Sequence, residues 1–119
     1  MKILLADDEK EILLIYSEML AGNGHDVTVV TNGSEVIQLL GEKNFDMLIL
    51  DLFMPEVDGF EAIQMLRDKG YTVPVIVMTG HFPDHEVTAR LDGLQVYTAL
   101  RKPVMISTLL NAVNEAVSS

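Results

Sequence analysis

Asp7 and Asp8 stand side by side just after a first apolar run, Asp51 closes a second, Thr79 ends a third, and Lys102 follows a fourth. Three ionised carboxylates brought together raise one another's proton affinity unless a cation joins them. A donor set made only of oxygen suits a hard divalent ion, and Mg²⁺ is typically held by one or two carboxylates plus a substrate phosphate. One carboxylate can then act as a nucleophile and carry a phosphoryl group as an aspartyl-phosphate. In such a transfer the Lys102 ammonium offsets charge on the moving oxygens, and the Thr79 hydroxyl hydrogen-bonds one of them. No glycine-rich nucleotide loop occurs, so the phosphoryl donor comes from outside the chain.

This chemistry needs elements that bring distant positions together. Ile3 to Ala6 reads as a strand, Glu9 to about Gly22 as a helix ended by Gly22-Asn23-Gly24, and Asp26 to Val30 as a second strand. Ser34 to Leu40 reads as a short helix, and Met47 to Leu50 as a strand apolar on both faces. Gly59 to about Lys69 is helical, with Phe60, Ile63 and Leu66 facing the core, and Val73 to Met78 is a fourth buried strand. A weak helix from about Asp84 to Asp92, a strand from Val96 to Leu100 and a helix from Ile106 to Val117 complete the pattern. Strict alternation with apolar strands predicts an α/β fold, a doubly wound five-stranded parallel sheet with five helices. Five units are too few for a closed eight-fold barrel. In an open sheet of this kind the working groups lie beyond the carboxyl ends of the strands. Asp7, Asp8, Asp51, Thr79 and Lys102 all fall at that rim.

The 119 residues form one domain, 1–119, large enough to bury a core without staples. Without cysteine, disulfides, thiolate zinc sites and cysteine nucleophiles are excluded. Eight Lys and Arg against eighteen Asp and Glu give a formal charge of −10, which argues against binding nucleic acid directly. No apolar run approaches a membrane span and no signal segment opens the chain, so a cytoplasmic location is expected.

Asp7-Asp8, the run Asp51-Leu52-Phe53-Met54-Pro55-Glu56-Val57-Asp58-Gly59, Thr79-Gly80 and Lys102-Pro103 together resemble a response-regulator receiver domain of two-component signalling. The run from Asp51 to Gly59 fits the family pattern D-x-x-M-P-x-x-D-G, and the resemblance covers the whole chain. It implies a flavodoxin-like strand order 2-1-3-4-5, with Asp51 as phospho-acceptor. It also implies a Mg²⁺ site made by Asp7, Asp8, Asp51 and the backbone carbonyl of Phe53, with Asp8 the more direct ligand of the Asp7-Asp8 pair. Thr79 and Lys102 would contact the phosphoryl group, and the Lys102–Pro103 peptide would be cis. The implied partners are a sensor histidine kinase or histidine phosphotransfer protein and an unknown downstream protein. Homodimerisation on phosphorylation stays open. The chemistry would be the domain's own phosphorylation and dephosphorylation, not turnover of external substrates.

Simpler readings compete for the same residues. Asp8 with Glu11 fits a helix-capping pair, Asp51 and Lys102 could be a structural ion pair, and Thr79-Gly80 a strand-ending turn. None accounts for all four blocks at once. An aspartate-based phosphatase would place a second acid two residues beyond the nucleophile, where Phe53 stands. An unphosphorylated receiver-like binding module would be expected to lack a site residue. His81 and His85 are four apart, but Pro83 between them argues against a helical metal pair. His81 and Phe53 are expected instead to flank the site and restrict attacking water. On the first helix Ile12, Ile15, Tyr16, Met19 and Leu20 share one side, with Leu13 at the margin and Leu14 pointing out as a partner contact. Met47, Met65 and Met78 read as core filling. The aromatic residue that many receivers carry three positions before the lysine is here Ala99, with Tyr97 two residues earlier.

Overall fold

A computed structural model describes residues 1–118. Within them, strands β1 (Lys2–Ala6), β2 (Asp26–Val30), β3 (Met47–Asp51), β4 (Val75–Thr79) and β5 (Thr98–Arg101) alternate with helices. The helices are α1 (Lys10–Gly22), α2 (Gly33–Glu42), α3 (Gly59–Asp68), α4 (Asp84–Leu91) and α5 (Ile106–Ser118). The strands pair in parallel in the order β2-β1-β3-β4-β5. The order reverses between β1 and β3, so the ends of these neighbours open a crevice.

The period of two in a strand divides the core cleanly. Leu4, Ala6, Leu48, Leu50, Val75 and Val77 point to one face and pack on Val36 and Leu40 of α2, Phe60, Ile63 and Leu66 of α3, and Val87 of α4. Ile3, Leu5, Met47, Ile49, Ile76 and Met78 point to the other and meet Leu13, Tyr16 and Leu20 of α1 and Leu109, Ala112 and Val113 of α5. Every residue of β3 and β4 is buried, which is why both read as continuous apolar runs.

Two helix starts are fixed by side chains. Asn32 accepts from the Glu35 N–H at 2.9 Å and Asp58 from the Glu61 N–H at 2.9 Å, each satisfying one orphan donor of a first helical turn. Gly59 brings α3 against the end of β3. A Cβ there would lie 2.6 Å from Leu52 Cα and 2.8 Å from the Asp51 carbonyl oxygen, so only glycine permits the approach. The Gly59 N–H donates to Leu52 O at 2.9 Å, which shapes the loop beyond Asp51.

Several expectations need correction. β4 begins at Val75, because Pro74 has no N–H to give a ladder. β5 begins at Thr98, since the chain crosses positive φ at Gly93 and Gln95 before it can pair. α2 runs longer at both ends than expected. On α1 the buried residues are Leu13, Tyr16 and Leu20, while Ile15 and Met19 are exposed with Leu14. Met65 is also exposed, as is Val117 at the far end of α5, whereas Met47 and Met78 are core. The Lys102–Pro103 peptide is cis, as expected. Among the described residues no helix is long and apolar enough to cross a membrane.

Candidate functional site

Asp7 follows β1 directly, and its backbone N–H donates to Val30 O at 3.2 Å. Its side chain is fully buried, with Oδ1 accepting from the Glu9 N–H at 2.9 Å and Oδ2 from Lys102 Nζ at 2.8 Å. Asp51 is the last residue of β3. Its Oδ1 accepts from the Phe53 N–H at 3.2 Å and its Oδ2 from Lys102 Nζ at 3.0 Å. One ammonium therefore bridges carboxylates from two neighbouring strands, across the reversal in strand order.

Lys102 reaches this point because its backbone is tied to β4. Its N–H donates to Thr79 O at 2.7 Å, which sets the lysine beside Thr79. Gly80 gives the stem room, since a Cβ there would lie 3.2 Å from Lys102 Cβ. The Thr79 hydroxyl is buried and is the buried side-chain polar atom without a hydrogen-bond partner among the described residues. An orphaned buried hydroxyl is costly, so it marks a place where an acceptor is wanted.

Carboxylate oxygens of Asp7, Asp8, Glu9 and Asp51 lie within 4.8 Å of one another. Asp7 and Asp51 are buried, Asp8 and Glu9 exposed. The donors are all hard oxygens, the class that Mg²⁺ takes. Burial first and the Asp7 charge second push the Asp51 carboxyl up to about 6, against the pull of Lys102 and the Phe53 N–H. One ammonium does not neutralise this cluster, and a divalent cation fits the remaining charge. Burial alone would push Lys102 down, but its hydrogen bond to Asp7 and the Asp51 charge outweigh burial and hold it above the usual lysine range.

Phe53 stands over the rim, half exposed, and its ring stacks on His81 at 4.2 Å between centroids and 28° between planes. Beside the site an apolar groove of about 640 Å³ runs between α1 and the segment after β5. Ile12, Ile15, Tyr16, Val104 and Met105 line it, with Glu9 and Lys102 at its polar end. The Tyr16 hydroxyl donates to Val104 O at 2.9 Å and fixes its floor.

The family model for the response regulator receiver domain matches residues 3–114. The chain belongs to the response-regulator receiver domains. It is 33% identical over 111 residues to the response regulator MprA of Mycobacterium leprae, covering 92% of this chain and 48% of that protein. It is 33% identical over 117 residues to the DNA-binding transcriptional regulator NtrC of Escherichia coli, covering 98% of this chain and 24% of that protein. This receiver thus spans half or less of the curated relatives named here. Among solved structures it superposes on the receiver domain of Francisella response regulator 1452 with a TM-score of 0.91, at 30% identity over 98% of this chain and 96% of that one. A CheY-like receiver from Methanospirillum hungatei gives a TM-score of 0.92 over 98% and 93% of the two chains, and at 21% identity it speaks for the fold alone.

The receiver's rim brings together the side chains of Asp7, Asp8, Asp51 and Lys102, and Thr79 ends β4 with its backbone carbonyl bonded to the Lys102 N–H. The helix-capping reading of Asp8 with Glu11 is not observed: the N-cap is Glu9, and no side chain caps α1. Glu9 is the member of the cluster that sequence reading left out. Its Oε1 accepts from Lys102 Nζ at 3.2 Å. Its signal was an acid placed where a good capping residue belongs. His81 and His85 make no pair: His85 is an exposed residue of α4, while His81 precedes the helix and stacks on Phe53. Ala99 pairs with Val77 at the sheet edge, and Tyr97 lies outside β5, 40% exposed.

Proposed function

We propose that this receiver, residues 1–119, takes a phosphoryl group from a phosphohistidine of a sensor kinase or phosphotransfer protein onto Asp51. The observation that carries the reading is one ammonium shared by Asp7 and Asp51 beside an unpartnered Thr79 hydroxyl. In the transfer an Asp51 carboxylate oxygen forms the new bond to phosphorus. The bond from phosphorus to the donor imidazole nitrogen breaks, and the electron pair leaves with that nitrogen. Asp51 is ionised for this role at neutral pH, since its carboxyl titrates at about 6. Thr79 Oγ1 then donates to a phosphoryl oxygen, and Lys102 turns its ammonium from Asp51 to the same group. Asp7, Asp8 and Asp51, with the Phe53 carbonyl, would hold Mg²⁺. That ion, when bound, offsets the charge between the acidic rim and the incoming phosphoryl oxygens.

The donor protein docks on the α1 face, which exposes Leu14, and where exposed Ile15 lines the groove together with Met105, which is 70% exposed. Its phosphohistidine then faces the polar end of the groove. Phosphorylation biases two conformations of the face around α4, β5 and α5, and a downstream protein reads the difference. A partner of this kind places the domain in the cytoplasm.

Intact-protein mass after incubation with acetyl phosphate and Mg²⁺ tests the reading. One phosphoryl group should be gained by the wild type, and none by Asp51→Asn or with a chelator present. A gain retained in Asp51→Asn overturns the assignment of the acceptor.

A further inference from the structure

Helix capping does not explain Glu9. It is the N-cap of α1, a position that favours Ser, Thr, Asp or Asn, whose short side chains reach back to the first free N–H groups. The Glu9 side chain makes no such bond. It extends instead to Lys102 Nζ, 93 residues away, at 3.2 Å. Its base is held on both sides, with its N–H donated to Asp7 Oδ1 at 2.9 Å and its carbonyl accepting from the Leu13 N–H at 3.0 Å.

An ammonium carries three donors, and here each meets a carboxylate: Asp7 at 2.8 Å, Asp51 at 3.0 Å and Glu9 at 3.2 Å. In the proposed cycle two of these are taken away, Asp51 by the phosphoryl group and Asp7 by the cation. Glu9 is the acceptor that remains. Lysine is a point charge on a flexible stem, and fixing it costs rotamer entropy that a retained partner has already offset.

We propose that Glu9 is the positioning residue of Lys102, keeping its ammonium at the rim while Asp7 and Asp51 turn to cation and phosphoryl group. The proposal rests on the reading of Asp51 as phospho-acceptor. Lys102 then exchanges partners without being released to solvent, and Glu9 acts through Lys102, not as a metal ligand and not as bulk charge.

The variants are Glu9→Gln and Glu9→Asp, alone and with Lys102→Met. Glu9 is exposed and Asp is the better cap, so folding survives, as circular dichroism will check. With acetyl phosphate at saturating Mg²⁺, Glu9→Gln should slow phosphorylation about three- to fivefold, the scale of a half-exposed ion pair. Glu9→Asp keeps the charge on a shorter stem and should slow it equally. In the metal-free protein, the Lys102 ammonium signal in ¹⁵N NMR should exchange with water faster in both variants. In the Lys102→Met background, Glu9→Gln should change Mg²⁺ affinity by calorimetry less than threefold.

Full rescue by Glu9→Asp overturns the proposal in favour of bulk charge. A larger loss of Mg²⁺ affinity in the Lys102→Met background overturns it in favour of direct ligation. An unchanged ammonium signal removes the tether itself. If the wild type gains no phosphoryl group, the Asp51 reading falls and this one with it. Normal gain by the wild type, with both Glu9 variants phosphorylated as fast as the wild type, overturns this one alone.

Discussion

Replacing Asp51 by asparagine should make the metal-free domain more stable at neutral pH. Asp51 is 1% exposed, and burial with the Asp7 charge lifts its carboxyl from 3.8 to about 6. A group whose proton affinity is higher in the folded state contributes stability below its unfolded value and loses it as pH rises through its folded value. The window here runs from about pH 4 to about pH 6. At about 1.4 kcal/mol per pH unit, the rise corresponds to a ceiling of about 3 kcal/mol. Asparagine keeps the acceptor for the Phe53 N–H, but its amide nitrogen then faces the Lys102 ammonium, donor against donor, which costs about 1 kcal/mol. Solvent at the mouth of the site lowers the gain further. What remains is about 1–2 kcal/mol, or about 4–8 °C in melting temperature for a domain of this size. Urea unfolding followed by circular dichroism, with chelator, from pH 4 to pH 8 measures it. The variant's advantage should be absent at pH 4, grow to pH 6 and then level off. Mg²⁺ should reverse the order, because binding stabilises the wild type by mass action and the variant less. Parallel stability curves, or a variant less stable at pH 8, would refute the electrostatic account of the site.

Phe53 and His81, each two residues beyond a rim residue (Asp51 and Thr79), stack on each other. Phe53→Asn and His81→Ala should each speed loss of the phosphoryl group, roughly tenfold for a barrier lowered by about 1.4 kcal/mol. Rates unchanged in both, measured by intact mass after donor removal, would end that idea. Leu14→Asp, at a position 59% exposed, should slow transfer from the cognate phosphohistidine donor about tenfold, the scale of a lost interface anchor, and spare phosphorylation by acetyl phosphate. Equal loss of both would remove Leu14 from the docking face.

The rim was legible because alternation leaves few choices. Once strands and helices alternate in a parallel sheet, residues that follow the strands must share one edge, so Asp7, Asp51, Thr79 and Lys102 converge whatever the loops do. The faces of the outer helices were less legible. Ile15 and Met19 are as apolar as Leu13, and periodicity alone centred the stripe on the wrong side of it. Where α1 rests is decided by Ile3, Leu5 and Val104 beneath it, and by the Tyr16 hydroxyl bonding Val104 O from 88 residues away. Glu9 escaped for a similar reason. Its partner is 93 positions distant, and nothing local separates an acid that starts a helix from one that holds a lysine.

The departure at Ala99 acquires a physical counterpart in the fold. With no ring at that strand position, Thr79 has no aromatic neighbour in β5, and Tyr97 lies just before the strand, 40% exposed. The aromatic contacts lie on the other side of the rim. Phe53 stacks on His81 and meets Phe82 at 6.3 Å, Phe82 meets Phe60 of α3 edge-on at 5.1 Å, and the Arg90 guanidinium of α4 lies 3.8 Å over the Phe60 ring. Arg101 of β5 ties into the same segment, donating to Phe82 O at 2.9 Å and pairing with Asp84 at the start of α4. α4 itself is short and offers one fully buried apolar residue, Val87, so these ring and guanidinium contacts form much of its attachment. Elements held by few buried apolar contacts are those that open at least cost. The loop between Thr79 and α4 therefore joins the least firmly packed helix to the site at which charge would change.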